Sequence, residues 1–174
     1  MPADCLKTRL HSLISDSLPP ENPVVNPHWG AIAFDRNRYE DLAPTDVWEA
    51  WFVAHGREHG SRALVGAVAV KELISGGDGV KIQAGLSSVR TYLLEEGRFL
   101  EDYFLFSPAM DWVVRLDQDV TLFAADLNYL NLVVADLHGL DCLMKRMVDD
   151  FDPGEGDPVG LQSFLNAITR GIRL

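Results

Sequence analysis

Apolar side chains recur along this chain with two periods, and each period predicts a different element. Leu6, Leu10, Leu13 and Ile14 fall on one stripe of residues 3–18, which predicts an amphipathic helix stopped by Pro19 and Pro20. Residues 19–45 hold Pro19, Pro20, Pro23, Pro27 and Pro44 and are expected to form a loop or arm, with one short extended segment at 29–34. Asp46 and Glu49 have the spacing of a capping box, so Trp48, Trp51 and Phe52 are predicted to lie on a helix running toward Gly60. The Ala-, Leu- and Val-rich stretch 61–74, followed by Gly76 and Gly77, reads as further helix. A Glu58–Arg62 pair could make it continuous with the first. Residues 80–83 suit a short strand, and 87–106 a helix ending before Ser107–Pro108.

The period then changes. In residues 111–125, Trp112, Val114, Leu116, Val120 and Leu122 alternate with Asp111, Arg115, Asp117, Asp119 and Thr121, which predicts a β-hairpin turning near Gln118. From Asp126, a natural cap, the stripe Leu127, Leu130, Val133, Val134, Leu137, Leu140, Met144, Met147, Val148 and Phe151 predicts one long helix. It would have about 25 residues and measure near 37 Å. An acidic loop at 152–160 and a C-terminal helical cap at 161–174 complete the chain. The expected fold is α+β in one globular domain, residues 1–174. It is predominantly helical, with a small antiparallel sheet or hairpin packed on a long amphipathic helix.

Composition narrows the possible partners. The 174 residues are 47 % apolar and 24 % charged, enough to bury a core. Fifteen Lys and Arg against 26 Asp and Glu give a formal charge of −11, which disfavours nucleic acid and anionic membrane surfaces. The uncharged run 63–70 falls far short of the roughly 18 apolar residues that span a bilayer. Its start alternates charged and apolar residues, unlike a leader peptide, and Cys5 and Cys142 fit no metal or redox spacing. A cytoplasmic protein is therefore expected. No motif implies a cofactor.

Three constellations suggest chemistry. His55, Glu58 and His59 have the H-x-x-E-H order of one class of zinc peptidases, in which two imidazoles four apart share a helix face and the Glu activates a water. Glu95–Glu96 is the only nearby helical candidate for a third ligand. Asp117-Gln118-Asp119 resembles the DxD by which many glycosyltransferases hold a divalent metal, but no Gly-rich phosphate turn precedes it, and two aspartates at a hairpin turn explain it more simply. Asp149, Asp150, Asp152, Glu155 and Asp157 crowd five carboxylates into nine residues. An EF-hand register there puts Glu155 at the turn glycine and Leu161 at the bidentate Glu, so a solvated acidic loop is expected.

The distribution of charge says more than any of these motifs. Residues 1–100 carry 13 acids and 10 bases, whereas residues 101–157 carry 13 acids and only Arg115, Lys145 and Arg146. If these elements are neighbours in space they form one acidic face, suited to steered association with a basic protein, as in stoichiometric inhibitors and immunity-type proteins. The residues expected to carry it are Asp117, Asp119, Asp136, Asp141, Asp149, Asp150, Asp152, Glu155 and Asp157. Two alternatives stand beside it. One is a metal-dependent hydrolase built on His55, Glu58 and His59. The other is a helical regulatory or scaffold module that self-associates as a homo-oligomer through Trp48, Trp51 and their apolar neighbours.

Overall fold

The computed structural model describes residues 3–95, 97–151 and 156–173. Its elements run in the order α1 (Ala3–His11), β1 (Trp29–Asp35), α2 (Thr45–His59), β2 (Leu64–Ala69), α3 (Val70–Ile74), β3 (Val80–Gln83), α4 (Leu86–Val89), β4 (Tyr103–Phe106), β5 (Trp112–Leu116), β6 (Val120–Asp126), α5 (Leu127–Asp136), α6 (Leu140–Asp150) and α7 (Pro158–Ile168). The six strands form a single sheet in the order β1-β6-β5-β4-β2-β3, and every neighbouring pair is antiparallel.

This corrects the expected architecture. The fold is mixed α+β on a six-stranded sheet, not a predominantly helical domain carrying a small hairpin. The hairpin β5–β6 lies inside that sheet, flanked by β4 and β1. Two segments expected as helix are helical only in part: in 61–74 the helix is confined to 70–74 and β2 precedes it, and in 87–106 helical backbone covers 87–95 and β4 closes the segment. Both strands are covered on both faces, so Val65–Ala69 and Tyr103–Phe106 are buried without alternation. Their sequences are short unbroken apolar runs, which periodicity does not separate from buried helix. The one long helix is in fact two. His138 (φ 68°) and Gly139 (φ 92°) both take left-handed backbone between α5 and α6, and Gly139 caps α6. The apolar stripe continues across the break, with Leu130, Val133 and Val134 buried on α5 and Leu143 and Met147 on α6.

Helix ends explain other boundaries. α1 stops at His11, and the chain then folds back through an isolated bridge between Ile14 and Val24. The expected capping box of α2 does not form. Pro44 precedes the helix without a side-chain cap, and Asp46 instead accepts from Nη1 and Nη2 of Arg146 on α6 at 2.8 and 2.9 Å. α2 ends at Gly60 (φ 91°), so it does not run on into residues 61–74. Asp126 caps α5 as expected, accepting from the amides of Asn128 and Tyr129.

The register places Ile32, Phe34, Phe123, Trp112 and Val114 on one face of the sheet. α2 lies on that face. The Trp48 ring meets Phe123 at 4.7 Å, and Trp51 meets Phe123 at 5.1 Å and Trp112 at 5.9 Å. Tyr129 of α5 completes the cluster by donating its hydroxyl to the Trp51 carbonyl at 2.6 Å. Trp48, Trp51 and Trp112 are each 0 % exposed. Such rings bring large buried area and edge-to-face contacts to the core. The self-association reading therefore has no exposed surface in Trp48 or Trp51. Gly66, Phe104, Phe106 and Arg115 share the opposite face. There, Arg115 Nη1 donates to the Ser15 carbonyl, just beyond α1, at 2.8 Å.

The β1 edge of the sheet is closed by α6. Its outward amides donate to side chains of that helix, Ala33 to Met147 Sδ at 3.3 Å and Asp35 to Asp150 Oδ2 at 2.5 Å. This removes an unpaired edge. The other edge, β3, is largely exposed. Among the described residues no helix is long and apolar enough to cross a membrane.

Candidate functional site

The residues expected to carry function fall in two places, the acidic surface around β1 and α6 and a histidine cluster at the end of α2.

The nine acids expected at the partner surface separate into groups. Asp117 is 8 % exposed and holds the β5–β6 turn together. Its Oδ1 accepts from the amides of Asp119 and Val120 at 3.2 and 2.8 Å, and its Oδ2 meets Arg115 Nη2 at 3.2 Å. Asp150 is 5 % exposed and accepts from the Asp35 amide and the Tyr39 hydroxyl. Burial first, and this bond second, push the Tyr39 hydroxyl above its ordinary value. Both aspartates serve the fold. Asp136 pairs with Arg57 at 3.1 Å, and Asp157 caps α7 by accepting from Val159 at 3.0 Å. Asp119, Asp141 and Asp149 are exposed. Asp141 lies in the first turn of α6, about 12 Å along the helix from Asp149 at 1.5 Å per residue. Asp152 and Glu155 lie outside the described residues.

The acids that do come together are Asp119, Asp149 and Asp150, gathered around the 3-10 turn Arg36–Arg38 that follows β1. The Arg36 amide donates to the Asp119 carbonyl at 2.9 Å, and Arg38 Nη1 donates to the carbonyls of Asp149 and Asp150. Asp35, which lies outside the 101–157 segment, joins them. Its Oδ1 accepts from the Asn37 amide at 2.8 Å, and Asn37 Nδ2 reaches Asp119 Oδ1 at 3.5 Å. The Oδ2 atoms of Asp35 and Asp119 have no partner among the described residues. Both aspartates line an open slot of about 240 Å³ whose other wall includes Phe151, Leu161 and Phe164. No spacing pattern in the sequence links Asp35 to Asp119. Only the β1–β6 register does, pairing Asp35 with Val120.

At the end of α2, His55 and His59 share a face as expected, their ring centroids 4.7 Å apart. His55 is 0 % exposed, and its Nδ1 accepts from Trp112 Nε1 at 3.0 Å. Burial, reinforced by His59 and opposed by Asp111, pushes its pKa down to about 4. Near neutral pH its ring proton therefore sits on Nε2, which is buried and has no hydrogen-bond partner among the described residues. His59 Nε2 meets Asp111 Oδ2 at 2.6 Å, while Asp111 Oδ1 is also buried and has no partner among the described residues. The carboxylate at this pair is thus Asp111, which meets His59 and lies 52 residues from it in sequence. Glu58 is exposed, and Glu96 lies outside the described residues. Among the described residues no group of three His, Cys, Asp or Glu side chains is placed to hold a metal ion.

No protein-family model matches the chain, and neither a curated protein nor a solved structure shows similarity to it.

Proposed function

We propose that this chain is a cytoplasmic binding protein that engages a basic protein partner, in the manner of a stoichiometric inhibitor or immunity-type protein, through the surface around Asp35, Asp119 and Asp149. The observation that carries this reading is the slot in which two half-satisfied carboxylates face an apolar wall containing Phe151. A lysine or arginine side chain matches both halves. Its aliphatic stem packs on Leu161 and Phe151 while its charged head meets Asp35 and Asp119. The excess of acids in residues 101–157 supplies the long-range attraction that speeds encounter.

An oligo-arginine peptide titrated by isothermal calorimetry tests the reading. Binding should weaken steeply between about 0.02 and about 0.2 M salt, over which the screening length shrinks severalfold. The D35N/D119N double variant should lose about tenfold in affinity, at up to about 1 kcal/mol for each exposed pair, and D136N should lose almost none. Binding that ignores salt, or that is equally strong in D35N/D119N, would overturn it.

A further inference from the structure

The acidic slot has a neighbour. A second concavity, of about 490 Å³ against about 240 Å³ for the slot, opens between α1, α3, the start of β4 and the end of β5. The two share a border. Leu18 lines the cleft, and Pro19, the next residue, lines the slot. Asp117 lines the cleft, while Asp119 and Val120, across the same turn, line the slot. Segment 18–19 and the tip of the β5–β6 hairpin thus form the ridge between them.

With neutral histidine the cleft is negative by one, since Asp16, Asp102 and Asp117 face Lys7 and Arg115. Most of these groups are already paired. Arg115 meets Asp117 at 3.2 Å, and His11 faces Asp16 at 3.7 Å. Asp102 differs. It is partly buried, and its carboxylate has no hydrogen bond or ion pair among the described residues. Burial first, and Asp117 second, hold this carboxyl above its ordinary range. A carboxylate drawn out of water without a cation in contact is a costly arrangement that an incoming cation relieves. Around it the walls are apolar: Val70, Leu73 and Phe104 inside, with Leu18 and Ile74 exposed at the rim. The cleft therefore repeats the slot's combination of an unmet carboxylate and an apolar wall.

We propose that the cleft is a second subsite for the same basic partner, one of whose extended segments crosses the ridge and sets one arginine or lysine in the slot and another against Asp102. The inference rests on the reading of the slot given above. The stem of the second side chain packs on Leu73 and Phe104 while its head meets the carboxylate. The ridge is narrow enough for this. Asp117 and Asp119 are two residues apart, at most about 7 Å along the chain, so cationic residues two to four apart in an extended partner reach both sides. Lys7, which has no ion pair among the described residues, opposes the incoming charge and sets the sign of one test.

The oligo-arginine peptide is the probe, beside a peptide of equal length that keeps one arginine and has glutamine elsewhere, both followed by isothermal calorimetry. D102N takes away no hydrogen bond that the described residues make, so it should unfold in urea as the wild type does. It should weaken the oligo-arginine peptide about threefold to fivefold, whereas D141N, an exposed change on α6, should alter it less than about twofold. K7Q should strengthen binding about twofold. In D35N/D119N/D102N the losses should multiply to about thirtyfold or more. The single-arginine peptide fills one subsite at a time and should bind at least about tenfold more weakly than oligo-arginine. The proposal is overturned if D102N binds oligo-arginine like D141N does, or if K7Q weakens it. If D35N/D119N still loses about tenfold in that case, the slot reading stands and the second subsite alone falls. If D35N/D119N binds like the wild type, the slot reading falls and this inference with it. Phenethylamine that binds in a D102N-sensitive way, when the peptide does not, would make the cleft a small-amine site and also overturn the proposal.

Discussion

Acidification should strip stability from this protein through one side chain, His55. The residue is fully buried, its Nδ1 is occupied by the Trp112 indole, and its pKa is pushed from the ordinary 6.5 down to about 4. The folded state therefore binds the imidazole proton more weakly than the unfolded chain does. The contribution of His55 is accordingly complete above pH 6.5, is lost as the pH falls from there toward 4, and levels off below. The full gap corresponds to roughly 3 kcal/mol, most of which is lost between pH 7.5 and 4.5. Carboxylates titrate over the same range, so the assay compares urea unfolding of the wild type with that of H55N. In this variant Oδ1 still accepts from Trp112 and nothing at the position titrates. H55N should be less stable at pH 7.5 by about 1–3 kcal/mol for its lost volume and contacts, and that deficit should vanish or reverse at pH 4.5. Parallel pH curves for the two proteins would refute the reasoning, because they would mean that the native state carries a protonated His55 at no cost.

Three further outcomes rest on packing. D150A should cost about 2–3 kcal/mol in chemical denaturation, because the Asp35 amide and the Tyr39 hydroxyl both lose their acceptor, whereas D149A should stay within about 0.5 kcal/mol. A Cβ at Gly66 would lie 2.2 Å from the Phe106 ring, so G66A should lower stability by about 2–3 kcal/mol, and a G66A/F106L double variant should recover part of the loss. D126A removes the acceptor for two amides at the start of α5 and should cost about 1 kcal/mol, read as a drop in thermal midpoint.

The strands that sequence pattern located well are no wetter than the others, since β1, β5 and β6 are buried on both faces too, but β5 and β6 place polar side chains, Arg115 and Thr121, at alternate positions. Alternation in β5–β6 and the cap at Asp126 were both legible, as was the extended segment that becomes β1. The elements that misled are those whose apolar runs hold no polar position. LVGAVA and YFLF carry no period, and length alone is a poor arbiter between a six-residue strand and a buried helical turn. The break at His138–Gly139 had a local signal, a glycine in mid-pattern, but the stripe on either side of it was continuous enough to hide it. The histidine spacing put His55 and His59 on one face of α2, yet their carboxylate comes from the start of β5, brought there by strand order rather than by spacing. The acids obeyed the same logic. Counting by segment found the excess, but only the β1–β6 pairing brings Asp35 beside Asp119 and leaves Asp141 at the other end of α6.

The central claim, that a basic partner is met at the Asp35–Asp119 slot rather than by diffuse negative charge, is tested most directly by reversing one charge at two places. D119K and D141K change the net charge equally, and both positions are exposed. The association rate and affinity for the oligo-arginine peptide should fall about tenfold or more in D119K and by no more than about twofold in D141K. Equal losses in the two variants would contradict the account.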